Sequence, residues 1–283
     1  MEKTYVREKS ACSNTDSQSG VVAAGAGDAG SGKVIGVIGG ISWVSSEIYY
    51  RRMNEIMRDR FGSLHSANVL LYSIPFHAFA EQERLASSGD WTMLTATMVS
   101  AANRLKAGGA EMIVIASNTL NSLDFLLEST VGLPVVRIID AVGRDIVQRG
   151  LRRVALLGTK YTMETDFYRG RLERDYGLSI VVPDAMEQDY VNNVIFDELC
   201  NNRMFDESRE GYRKIIERLA SQEGAEGVIL GCTEIPLLIR ASDVTIPIID
   251  STESHVTAAV TAATSTVAAT KQCDQRHETC AGR

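Results

Sequence analysis

The feature that most constrains this chain is that it repeats itself. Lys33-Val-Ile-Gly-Val-Ile-Gly39-Gly40 returns 119 residues later as Arg152-Arg-Val-Ala-Leu-Leu-Gly158-Thr159. The amphipathic stretch after each copy keeps the alignment, setting Tyr49 against Tyr168 and Arg52 against Arg171. A second match runs at an offset of 115, from Gly109-Ala-Glu-Met-Ile-Val-Ile-Ala116 to Gly224-Ala-Glu-Gly-Val-Ile-Leu-Gly231. Each of these copies is followed by a polar triplet, Ser117-Asn118-Thr119 and Cys232-Thr233-Glu234, and then by a Pro-led segment ending at Asp140 or Asp250. Two matches with nearly equal offsets imply duplication of one structural unit.

Each unit reads as α/β. Short apolar runs alternate with helical patterns, as in βα units around a parallel sheet. The spacing predicts strands over 34–38, 69–73, 112–116, 135–139, 154–157, 179–182, 227–230 and 246–249, with helices over 91–107, 166–176 and 207–222. The expected architecture is two similar doubly wound parallel-sheet halves, 33–140 and 141–250, with the active site in the cleft between them. The Ala/Thr-rich segment 253–270 is expected to form a helix that packs back on the first half. Residues 1–32 lack periodicity and read as a disordered extension, and 271–283 as a flexible tail. The extension holds two decoys, Gly25-Ala-Gly-Asp-Ala-Gly30 and a near P-loop over 27–33. Both need a strand before and a helix after, whereas here the strand follows.

Composition narrows the function. A net charge of −7 argues against nucleic acid or an anionic membrane as the main partner. No apolar run reaches the ~20 residues of a membrane span, and no secretory leader is evident, so a cytoplasmic location is expected. Five scattered cysteines are not a disulfide framework. Cys273, His277 and Cys280 cluster, but no fourth ligand accompanies them, so no metal site is expected.

In open parallel sheets, ligands bind beyond the carboxyl ends of the strands, where both triplets fall. Two facing halves place position 117 opposite position 232, an arrangement suited to taking a proton from one face of a carbon and returning one to the other. A thiol with an ordinary pKa near 8.5 is a suitable base, and a helix N-terminus is expected to lower it further. The amide and hydroxyls of Asn118, Thr119 and Thr233 suit a carboxylate. A buried cysteine at a strand end is more often a small apolar residue, so it is the symmetry that singles out Cys232. Ser42, after the Gly39-Gly40 turn, is a candidate cleft residue. His65 and His77 read as surface or satisfied histidines, and Trp43 and Trp91 as packing.

Ile35-Gly-Val-Ile-Gly-Gly-Ile-Ser-Trp43 with Tyr49-Tyr50-Arg51 resembles the opening of the aspartate/glutamate racemase family. Ser117-Asn118-Thr119 resembles its first cysteine motif, and Gly231-Cys232-Thr233-Glu234 is similar to its second. Leu156-Leu-Gly-Thr159 with Tyr161-Thr-Met163, and Ile195-Phe-Asp-Glu-Leu199, extend the likeness over residues 33–260. The resemblance implies pyridoxal-independent racemisation of an amino acid such as aspartate or glutamate, no cofactor, and a homodimer. It implies Cys232 and Ser117 as the proton-transfer pair, with Asn118, Thr119, Thr233, Gly40, Ser42, Thr159 and Tyr190 around the substrate. Ser117 stands where the family has a cysteine and is too weak an acid to serve as a standing base, so a lopsided enzyme is expected. Asn121 and Tyr190 replace a histidine and a cation of the family pattern, with Arg84 and Lys160 as alternative sources of charge. Two other readings stay open: a decarboxylase or related lyase that protonates a carbanion from one cysteine, and a non-catalytic ligand-binding homologue.

Overall fold

A computed structural model describes residues 32–280, with side chains through residue 265 except Ser87. The decoy over 25–30, residues 27–31 of the near P-loop, and the side chains of Cys273, His277 and Cys280 lie outside the described residues.

The first half holds β1 Ile35–Gly39, α1 Trp43–Phe61, β2 Val69–Ser73, α2 Phe76–Ser87, α3 Thr92–Ala107, β3 Met112–Ile115, α4 Asp124–Val131 and β4 Val135–Val136. After α5 Ile138–Gln148 come β5 Arg153–Gly158, α6 Lys160–Glu164, α7 Asp166–Tyr176, β6 Ser179–Val181 and α8 Ala185–Asn193. The chain then runs through α9 Asp206–Glu223, β7 Gly227–Gly231, α10 Ile235–Leu238, β8 Ile248–Asp250 and α11 Ser251–Cys280. The strands form two parallel sheets of identical order, β2-β1-β3-β4 and β6-β5-β7-β8.

The repeat is structural down to register. Val37 pairs with Val114 in the first sheet, and the residues 119 and 115 further on, Leu156 and Ile229, pair in the second. β1, β3 and β7 are buried along their whole length and β5 from Val154 onward, which is why they read as continuous aliphatic runs rather than alternating ones. The repeated glycines have a backbone cause. Gly109 after α3 and Gly224 after α9 both adopt positive φ (97° and 69°), a conformation that side-chain-bearing residues rarely take.

Apolar layers cover both faces of each sheet, and the halves exchange helices to complete them. Ile138, Ile139, Val142 and Ile146 of α5 pack on Val154, Leu156 and Ile229 of the second sheet. Val256, Ala259, Val260 and Ala263 of α11 pack on Ile35, Val37 and Val114 of the first. At about 1.5–3 kcal/mol per buried aliphatic side chain, this reciprocal crossover ties the halves together firmly.

Two boundaries differ from the sequence reading. The strand expected over 135–139 stops at Val136, because Ile138 and Ile139 open α5 and belong to the second half's core. Asn121 Oδ1 accepts from the Ile138 N–H (3.3 Å) at that helix start. α11 does pack on the first half as expected, but continues past residue 270. No helix among the described residues is long and apolar enough to cross a membrane.

Candidate active site

The carboxyl ends of β1, β3, β5 and β7 converge on one cleft between the halves. Ile41 and Ser42 line it after β1, Ser117, Asn118 and Thr119 after β3, Thr159 after β5, and Cys232, Thr233 and Glu234 after β7. Phe76 and Glu83 of α2, and Ile195, Phe196 and Cys200 beyond α8, close the sides. The lining contains no Lys, Arg or His, and its two charged residues, Glu83 and Glu234, are both acids.

The first-half turn is rigid. Asn121 is buried and donates from Nδ2 to the carbonyls of Ile115 (3.1 Å) and Ser117 (2.7 Å). It is therefore a backbone clamp rather than a substrate contact. The Ser117 Oγ accepts weakly from the Leu120 N–H (3.4 Å) and is half-buried at the cleft wall. Asn118 donates from Nδ2 to Ser251 Oγ (3.0 Å), which donates to the Leu230 carbonyl (2.7 Å) and so spans to the second sheet. Thr119 and Thr159 join their hydroxyls across the halves at 3.1 Å. Thr159 Oγ1 also accepts from the Thr162 N–H as the cap of α6.

Two buried oxygens on this cleft, Ser42 Oγ and Asn118 Oδ1, have no hydrogen-bond partner. A buried polar atom without a partner costs about 1–3 kcal/mol, so its presence on a cleft wall marks a place for a ligand's polar groups. Ser42 also has a φ of 64°, a strained value for a residue with a side chain.

Cys232 is buried and its Sγ donates to Glu234 Oε2 at 3.0 Å, while Thr233 Oγ1 donates to the same oxygen at 2.6 Å. Burial pushes the Cys232 thiol well above its ordinary pKa, and the Glu234 carboxylate pushes it further. The expected lowering by a helix N-terminus does not occur. α10 is only four residues long and begins after Glu234, too short to align many peptide dipoles. The resting sulfur is thus a hydrogen-bonded thiol. Burial, then Glu234 and Glu83, push the neighbouring Cys200 thiol to about 12, and burial followed by Glu234 pushes the Glu83 carboxyl to about 7.

Of the residues singled out in sequence, Ser42, Ser117, Asn118, Thr119, Thr159, Cys232 and Thr233 meet in this cleft. Gly40 and Tyr190 do not line it. Gly40 (φ 83°) packs its backbone on Ile74, where a Cβ would come within 2.2 Å of the Ile74 carbonyl oxygen. Tyr190 turns its ring toward Tyr212 (6.3 Å) and its hydroxyl over Gly211. The π-helical turn Val194–Glu198 after α8 presents Ile195 and Phe196 to the cleft instead. Trp43 is 65% exposed rather than packed, whereas Trp91 does pack, against Tyr161 at 5.3 Å. Glu83, Cys200 and Glu234 are cleft residues that sequence reasoning did not assign. Glu234 carried a signal, its place directly after Cys232-Thr233; Glu83 and Cys200 sit in helical stretches whose pattern gives none.

The two exchanged α/β halves thus bring a thiol and a hydroxyl to equivalent strand ends of one cleft. The Asp/Glu/hydantoin racemase family profile matches residues 38–259, and the chain belongs to that family. A candidate Asp/Glu racemase from Yersinia pestis is 42% identical, aligning over 82% of this chain and 99% of its own with a TM-score of 0.74. An aspartate racemase homologue from Pyrococcus horikoshii is 39% identical over 80% of this chain and 96% of its own, with a TM-score of 0.69. The aspartate racemase of Picrophilus torridus, 23% identical, shares the fold over 81% of this chain and 93% of its own (TM-score 0.62).

Proposed function

We propose that the protein racemises a free α-amino acid by direct proton transfer, with Cys232 as the principal acid and base and Ser117 as its weaker counterpart. The observation that carries this reading is the duplicated turn: Ser117 and Cys232 occupy equivalent strand ends on one cleft, beside two buried oxygens that lack partners.

The chemistry runs as follows. Asn118, Thr119 and Thr233 hold the α-carboxylate, with Ser42 Oγ supplying a further polar contact. Cys232 passes its hydrogen to Glu234 along the existing 3.0 Å bond, and the resulting thiolate takes the α-proton. Ser117, or a water it orients, delivers a proton to the opposite face of the carbanion. In the reverse direction Ser117 is a poor base, so abstraction from that face is slow. Equilibrium still ties the two kcat/KM values together, so the imbalance shows as poor overall turnover rather than as one-way conversion.

The test is α-proton exchange in heavy water over both enantiomers of the common amino acids. Exchange and racemisation of at least one amino acid support the reading. Carbon dioxide release from a disubstituted malonate with no exchange from any amino acid supports a lyase instead.

A further inference from the structure

Glu83 stands where the reaction cleft meets an adjoining space. Glu83 lines both the reaction cleft and an adjoining chamber of about 590 Å3, and Glu234 lines the cleft. Phe76, Thr119, Thr159 and Phe196 line both spaces, so the two adjoin. The chamber walls add Trp91, Leu94 and Ala80, an apolar lining suited to a run of methylenes. Its two cations are both matched by acids: Arg84 pairs with Glu81 (2.6 Å), and Lys160 with Asp189 (2.6 Å) and Glu164 (3.7 Å). Together the two spaces are lined by three acids, Glu83, Glu164 and Glu234, and by two cations, Arg84 and Lys160.

Building on the racemase reading above, we propose that the side-chain site selects amino acids with a distal positive charge, of the lysine or ornithine type, and that Glu83 is the residue that reads that charge. The distal carboxylate of aspartate is carried on a single methylene and would fall in the cleft beside Glu83 and Glu234, where like charge repels it. A lysine-type side chain instead lays its methylenes along Phe76 and Phe196 and meets Glu83 with an ammonium group. Burial and Glu234 hold the Glu83 carboxyl near neutral pH, and an arriving cation favours its ionised form.

The experiment measures α-proton exchange in heavy water for lysine, norleucine and glutamate with the wild-type enzyme, Glu83→Gln and Glu83→Asp. Norleucine has a similar chain length without the charge. Wild type is expected to prefer lysine over both, and Glu83→Gln to reduce the lysine-to-norleucine ratio of kcat/KM by about tenfold to hundredfold, the size of a lost charge-assisted hydrogen bond. Glu83→Asp, which keeps the charge, is expected to restore part of that ratio. Exchange of glutamate as good as that of lysine would overturn the inference while leaving the racemase reading intact. So would an equal loss for all three substrates in Glu83→Gln, which would show that the carboxylate reads the α-ammonium group. No exchange from any amino acid would remove the racemase reading itself and this inference with it.

Discussion

The duplication supplies a matched pair of arginines, and burial sets how much each contributes. Arg52 on α1 and Arg171 on α7 are equivalent, as are their partners Glu253 on α11 and Asp140 on α5. Arg52 holds both Glu253 oxygens at 2.8 Å, but its side chain is 31% exposed and that of Glu253 43%. Arg171 bonds Asp140 (2.9 Å) and also Asp124 (2.7 Å), with its side chain 9% and that of Asp124 2% exposed. Removing one member of a buried pair costs about 3–5 kcal/mol, because the other charge is left stranded, whereas a solvated pair contributes about 0–1 kcal/mol. Arg171→Leu therefore strands Asp124, leaving Arg137 at 3.6 Å as its one remaining cationic neighbour among the described residues. For a chain of this size, at about 2–4 °C per kcal/mol, the expected fall in Tm is about 6–20 °C. Arg52→Leu is expected to lose no more than about 1 kcal/mol. Urea denaturation at pH 7 measures both, and adding Asp124→Leu to Arg171→Leu should recover much of the loss by removing the stranded charge. Equal losses from the two arginines, or a loss below 1 kcal/mol for Arg171→Leu, would refute the burial argument.

A second matched pair tests hydrogen bonding. Tyr49 and Tyr168 are both fully buried, yet Tyr49 meets His255 Nδ1 at 2.8 Å while the Tyr168 hydroxyl has no partner. Tyr49→Phe should cost about 1–3 kcal/mol in urea denaturation and Tyr168→Phe should be neutral or stabilising. His255 gives a pH dependence, since burial pulls its pKa to about 4 from an unfolded value of 6.5. The folded state binds the proton less well, so this contribution is complete above pH 6.5 and is lost as pH falls toward 4. Between pH 7 and pH 5 wild type should lose about 2 kcal/mol more than His255→Gln does, measured by the same denaturation.

Much of the fold was legible because duplication writes it twice. All eight strands were placed within a few residues, and the repeated Gly109 and Gly224 report a backbone conformation that other residues rarely adopt. The failures were places where tertiary context overrode local pattern. Val135 to Ile139 is β-branched and reads as strand, but Ile138 and Ile139 are claimed by the other half's core. At the cleft, the triplets were visible because both sit at strand ends, and seven of the assigned residues meet there. The Cys232 environment was not visible, since the desolvation that raises its pKa comes from packing by many elements at once. Tyr190 failed for a related reason: a π-helical turn, which no spacing announced, rotates Ile195 and Phe196 into the place it was assigned. Glu83 gave no signal in an Ala- and Glu-rich helix, where a carboxylate ordinarily faces solvent.

The central claim is that one thiol does the strong proton chemistry of the cleft. It is tested most directly by following the α-proton resonance of the preferred substrate in heavy water with Cys232→Ala. Complete loss of exchange in the folded variant, from either enantiomer, is the predicted result. Exchange persisting at a rate near that of wild type would contradict the claim and move the proton transfer to another group.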